Sequence, residues 1–226
     1  MDSQFSEIQF GFGLLREIVD GPFFGRLENS PFMPTQNKEK ILGYDARLDK
    51  CRPLFLQFKR SEMLTRSTAN EWSVFGNPYY RIEIYPDSVT HQHNLLVSLA
   101  NQFGNSVFYA APMFITENDF LNHYTNKTIQ DHTKFINCRR LSTISGSTAH
   151  HICFMDKTKS YFFSEQITIE DNIKDIESIL TKIERFSENE IRDEISLAIK
   201  KVFPNAIFND GITYLERFGI MLVLFK

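Results

Sequence analysis

Gln57 and Lys59 stand one residue apart at the end of a strongly apolar run, Leu54-Phe55-Leu56-Gln57-Phe58, and Asp45 lies a dozen residues upstream, just after Gly43. Period-two alternation puts Gln57 and Lys59 on one face of a strand and Phe58 on the other. A strand over Leu42–Leu48, paired with this run as a hairpin, would bring Asp45 to the same end of the sheet. The Asp45 carboxylate, the Gln57 amide oxygen and the Phe58 backbone carbonyl are hard oxygen donors of the kind Mg²⁺ (or Mn²⁺) takes. Lys59 beside such an ion would orient or help deprotonate a water and hold charge on a phosphate. A metal, an activated water and a cation next to the phosphate are the parts that phosphodiester hydrolysis needs.

The surrounding pattern supplies elements to position these groups. Leu14, Leu15, Ile18 and Val19 recur at helical spacing over Ser6–Val19, and Ser6 with Gln9 has the form of a capping box. Strands are expected over Leu54–Phe58, Tyr79–Tyr85 and Ser106–Ala111, with a helix over Gln92–Phe103 ended by Gly104. Thr116 caps a short helix over Glu117–Tyr124, and His151–Met155 and Lys159–Phe163 form a hairpin across Asp156-Lys157-Thr158. Ile169, Ile173, Ile176, Ile179, Leu180 and Ile183 predict one amphipathic helix, Glu190–Val202 a second, and Gly219–Phe225 a final strand. The order predicts an α/β (α+β) fold with a helical C-terminal portion.

Gly43-x-Asp45 followed by Gln57-x-Lys59 resembles the core motif of the restriction-endonuclease-like, PD-(D/E)xK, nuclease superfamily, and the glutamine is similar to its Mrr-type branch and to anti-phage effector nucleases. The order of helix, Asp strand, Gln-x-Lys strand, helix and strand agrees over roughly Ser6–Ala111. The resemblance implies a central mixed sheet flanked by helices and a metal-dependent nuclease, with DNA as substrate and a role in restriction or anti-phage defence. It also implies a metal-holding glutamate on the first helix, which by position is Glu7, with Glu17 the weaker match. On this reading Asp45, Gln57, Lys59 and Glu7 are catalytic, and Asp45, Gln57 and Phe58 hold the metal. Residues 1–165 form a nuclease-like core, and 166–226 a C-terminal extension packed on it.

Among neighbouring groups, Arg60 follows the lysine, and His91 and His93 begin the Gln92–Phe103 helix, where free N–H groups favour an anion. These three are the expected substrate contacts. His150 and His151 must face opposite ways on a strand, and Cys153 is expected as a buried thiol. The chain of 226 residues carries a formal charge of −3, so no global basic field marks it. Residues 38–81 nevertheless hold nine basic side chains against five acidic ones, which leaves −7 for the rest. No Walker loop, dinucleotide fingerprint, H-E-x-x-H motif or nucleophile elbow is present. Three widely spaced cysteines, no secretory leader and no long apolar run make a reduced, cytoplasmic protein with no membrane partner the expectation. No recognition module is visible, so substrate choice falls to a protein partner, a homodimer or the C-terminal helices. The competing reading is a non-catalytic interaction or nucleic-acid-binding subunit, because glutamine in place of a carboxylate removes one charge from the metal site.

Overall fold

A computed structural model describes residues 1–20, 51–163, 167–170, 173 and 175–225. Asp45 and the strand expected over Leu42–Leu48 lie outside the described residues.

The described chain is a mixed α/β structure with two sheets. Helix α1 (Glu7–Asp20) leads, and strand β1 (Arg52–Phe58) is the first strand of the central sheet. After β2 (Glu62–Leu64), α2 (Trp72–Phe75) and β3 (Tyr79–Ile84), helix α3 (Gln92–Phe103) crosses over to β4 (Val107–Pro112), which lies parallel to β1. Helix α4 (Glu117–Asn126) and β5 (Thr133–Asn137) follow, and β5 runs antiparallel to β4. The last strand, β9 (Ile220–Phe225), returns to pair antiparallel with the other edge of β1, giving the order β5-β4-β1-β9. The second sheet is antiparallel throughout, in the order β2-β3-β6-β7-β8, with β6 (His150–Phe154), β7 (Lys159–Phe162) and β8 (Ile167–Glu170). Helices α5 (Ile176–Leu180), α6 (Glu188–Val202) and α7 (Gly211–Glu216) precede β9.

Two cores meet at the central sheet. Leu54, Leu56 and Phe58 of β1 face a core shared with Phe10, Leu14 and Ile18 of α1 and Ile176 and Ile179 of α5. Phe55 faces the other core, built with α3, α6 and the inner face of the second sheet (Ile82, Ile152 and Phe162). A strand buried on both sides reads as a continuous apolar run, which is why β1 is so legible.

Several expectations change. At its Gln57 end both edges of β1 are paired, with β4 and β9. The single helix expected over Ile169–Ile183 is instead β8 followed by α5. Ile167-Thr168-Ile169-Glu170 alternates with period two, and an Asp175–Ser178 capping box starts a fresh helix. The six isoleucine and leucine positions are all buried nonetheless, so the apolar pattern was sound and its period was not. Strands β2 and β5 and helix α7 had no expectation at all.

Gly11 and Gly13, which weaken the helix signal of α1, have a packing role. A Cβ on Gly11 would lie 2.5 Å from the Phe58 ring, and one on Gly13 would lie 2.4 Å from Ile129. Alanine is worth about 1 kcal/mol over glycine inside a helix, but overpacking a filled core costs about 1–3 kcal/mol. Gly11→Ala is therefore expected to destabilise the protein by up to about 2 kcal/mol in urea unfolding; a stabilised variant would mean that Phe58 is free to move.

Candidate active site

The C-terminal end of β1 gathers the polar groups. Gln57 and Lys59 are only 4% and 5% exposed, on the α3 side of the sheet. The Lys59 backbone N–H donates to the Ala110 carbonyl at 3.0 Å, extending the parallel pairing one residue beyond β1. Its ammonium donates to Gln92 Oε1 at 3.0 Å and sits 5.5 Å from the Tyr85 ring centre and 5.9 Å from that of Tyr109. Gln92 is the first residue of α3, and its Nε2 donates to the Phe218 carbonyl at 2.5 Å. Lysine, helix and the turn into β9 are thereby tied in one chain of bonds. Burial holds the Lys59 pKa below the usual lysine value, and the Glu7 and Glu83 carboxylates act in the opposite sense.

Gln57 is held differently. Its Nε2 donates to the Phe58 carbonyl at 3.2 Å, and its buried Oε1 has no hydrogen-bond partner among the described residues. Leaving a buried acceptor unmatched costs about 1–3 kcal/mol. Gly219, in the left-handed region at φ 66°, turns the chain from α7 into β9 directly against this amide; a Cβ there would lie 3.6 Å from Nε2. The amide therefore has a neighbour of minimal size on that side.

Glu7 approaches from the opposite face. It opens α1, where the Ser6 hydroxyl accepts from Gln9 N at 3.0 Å as the capping pattern predicted. Glu7 Oε1 accepts from the Arg60 backbone N–H at 3.3 Å, so α1 is pinned to the residue after Lys59. Arg60 itself is exposed. Glu17 is engaged elsewhere: its two oxygens accept from Ile129 and Gln130 N–H at 2.6 and 2.8 Å.

The histidines separate. His91 is exposed, and its Nδ1 lies 2.7 Å from Asp87 Oδ1, with the ring edge-on to Phe203. His93 is 2% exposed, with Nδ1 3.0 Å from the Tyr109 hydroxyl and Nε2 2.8 Å from the Ser142 carbonyl. Both ring nitrogens of His93 face protein groups, so it braces Tyr109 beneath Lys59 and has no nitrogen left for a substrate. His150 points into the core and His151 to the opposite face of β6, as strand geometry requires. Cys153 is buried, and burial raises its thiol pKa; Cys51 and Cys138 are likewise free and buried.

Sequence reasoning missed Gln92, Tyr85, Tyr109 and Glu83. Gln92 lies between two histidines in the sequence, and only the placement of the α3 N-terminus at the end of β1 gives it a role. A separate polar cavity of about 620 Å³ lies beside β2 and β3, lined by Glu62, Arg66, Glu71, Arg81 and His151. Arg81 is consumed there by Glu62 at 2.7 Å and Glu71 at 3.6 Å.

The donor set at the end of β1 has one feature a hard cation would use: the orphaned Gln57 Oε1 and the Phe58 carbonyl share one buried corner. Among the described residues no group of three His, Cys, Asp or Glu side chains is arranged to hold a metal. No described helix is long and apolar enough to cross a membrane. No family model, curated protein or solved structure matches the chain. The fold and site define an α/β protein with a buried lysine–glutamine pair at a strand end.

His93 gives this support a pH signature. Burial, partly opposed by the Ser142 carbonyl, pushes its pKa from 6.5 down to about 4. The folded state thus resists protonation, so the stability it contributes is present above pH 6.5 and lost as pH falls towards 4. Between pH 7 and 5 the wild type is expected to lose about 2 kcal/mol more than His93→Gln. Urea unfolding at the two pH values checks this, and parallel losses would place the acid sensitivity elsewhere.

Proposed function

We propose that this protein is a metal-dependent phosphodiesterase acting on nucleic acid, with its centre at the end of β1. One observation carries the reading: a buried lysine lies beside a buried glutamine whose amide oxygen has no hydrogen-bond partner among the described residues. A solvent-shielded ammonium costs several kcal/mol to maintain, and an unmatched acceptor adds to that. Two such costs on adjacent positions of one strand face are what a ligand site imposes and a purely structural strand end avoids.

Gln57 Oε1 and the Phe58 carbonyl are the proposed neutral ligands of Mg²⁺ or Mn²⁺. Glu7 and Asp45 are the proposed carboxylates, Asp45 on the strength of the sequence motif. When bound, the ion would supply charge neutralisation at the phosphate and a more acidic water. The protein's own part is positional. Gln92 aims the Lys59 ammonium, the two tyrosine rings flank it, and its charge faces the non-bridging oxygens as negative charge builds on them. Arg60 and His91, both exposed near this end of the sheet, are proposed contacts for flanking phosphates. The family resemblance adds DNA as the substrate and a defensive or restriction role, both as proposals.

A non-catalytic nucleic-acid-binding subunit is the second reading. The observation in its favour is the neutral glutamine, which leaves the site one negative charge short of a paired-carboxylate centre.

Lys59→Met separates the two. It is expected to abolish Mg²⁺- or Mn²⁺-dependent cleavage of DNA and RNA while keeping or raising thermal stability, because a buried charge is replaced by an apolar chain of similar length. Undiminished cleavage by the variant would remove Lys59 from the reaction, and no cleavage by wild type with either metal would favour the binding subunit. Gln57→Glu, which restores a charge, is expected to lower the Mg²⁺ concentration giving half-maximal activity by about tenfold, about 1.4 kcal/mol; metal titration of the rate checks this.

A further inference from the structure

The Lys59 ammonium lies 5.5 Å from the Tyr85 ring centre and 5.9 Å from that of Tyr109, and the two rings differ in one respect. Tyr109 is fully buried, and its hydroxyl is 3.0 Å from His93 Nδ1. Tyr85 is 47% exposed, and among the described residues no other aromatic ring packs on it. The inner ring belongs to the core; the outer ring is exposed to solvent.

Tyr85 is also held in place. It follows directly on β3 and precedes Pro86, which confines it to extended backbone. The Pro86 carbonyl accepts from Val89 and Thr90 N–H at 2.9 and 3.1 Å, and Asp87 is fixed by His91 at 2.7 Å and by Asn94 at 2.8 Å. The ring is therefore carried on a bonded turn rather than a loose loop.

Its charged neighbours restrict what can lie against it. Glu83 is two residues back on the same face of β3, and Asp87 is two residues ahead. Two carboxylates repel a second phosphate at this point, whereas the flat, uncharged face of a base meets an aromatic ring without that cost. A base inside a duplex has both faces covered by its neighbours, so only an unpaired or terminal base can lie on the tyrosine.

We infer that Tyr85 stacks a base next to the scissile phosphate and that the substrate is therefore single-stranded DNA or a frayed DNA end. This rests on the phosphodiesterase reading for the identity of the substrate, though strand binding can be measured without turnover. Anisotropy of a labelled single-stranded DNA oligonucleotide and of its blunt duplex, with Ca²⁺ in place of Mg²⁺ or Mn²⁺ so that a divalent cation is present while binding is read, is the test. Tyr85→Ala should weaken single-strand binding by about 5- to 150-fold, the range of base–aromatic stacking, and Tyr85→Phe should restore it to within about twofold. Duplex binding should change by less than about twofold. A strand carrying an abasic site at one position should bind wild type more weakly and Tyr85→Ala no more weakly than the intact strand. Unchanged single-strand affinity in Tyr85→Ala, or equal losses on strand and duplex, would overturn the stacking. Wild type that binds neither DNA overturns it as well. Metal-dependent cleavage by wild type is read separately: its absence with Tyr85-dependent binding intact removes hydrolysis and leaves stacking, and its presence with normal binding by Tyr85→Ala removes stacking alone.

Discussion

The burial of Lys59 constrains everything around it. An ammonium 5% exposed must be met by groups that neither collapse onto it as a tight ion pair nor leave it bare. The protein meets it with one amide oxygen from Gln92, two aromatic rings and the field of two carboxylates that do not contact it. That set holds the charge in position while leaving it able to engage something else. A direct carboxylate partner would have stabilised the lysine more and left it less free.

The rest of the architecture makes this placement rigid. β1 carries Leu54, Leu56 and Phe58 into one core and Phe55 into the other, so it cannot slide by one residue without burying Gln57 and Lys59 in the α1 core. β4 and β9 fix its two edges, and α3 crosses between the parallel pair so that its first residue meets the end of β1. In sheets with parallel strands the carboxyl ends are where loops and helix starts converge and ligands sit. The Gln92–Phe218 bond and Gly219 bring the end of the chain into the same corner. Residues 57, 92 and 218 are thus one assembly although they are far apart in sequence.

This separation explains what the sequence revealed. β1, α3 and β9 were legible because apolar runs and helical spacing are local properties, and the β6–β7 hairpin because Asp156 accepts from Thr158 and Lys159 N–H across its turn. The Gln57–Lys59 alternation followed from strand geometry alone. Gln92 was illegible because a glutamine at a helix start has no distinguishing pattern; its role exists only through the β1–α3–β4 crossover. His93 was misleading for the same reason, since a helix N-terminus predicts an exposed anion contact and the packing of α3 turned that position inward. Over Ile169–Ile183, isoleucines three and four apart fit a helix, yet β-branched residues with polar neighbours also suit an edge strand, and pairing with β7 decided it.

Charge changes most between the two levels. The basic excess over residues 38–81 suggested a phosphate-attracting surface, but Arg81 is spent on Glu62 and Glu71, and Lys59 is inside. Among the described residues, the carboxylates near the end of β1 are Glu7 on one side and Glu83 on the other, with Asp87 beyond. A bare phosphodiester approaching that corner meets carboxylates before it meets the ammonium. A divalent cation reverses the order: it is drawn to the carboxylates and the neutral oxygens of Gln57 and Phe58, and its charge then makes the corner attractive to phosphate. On the proposed function, the acidic surroundings of the lysine are therefore a requirement for the metal, and the order of assembly is cation first and nucleic acid second.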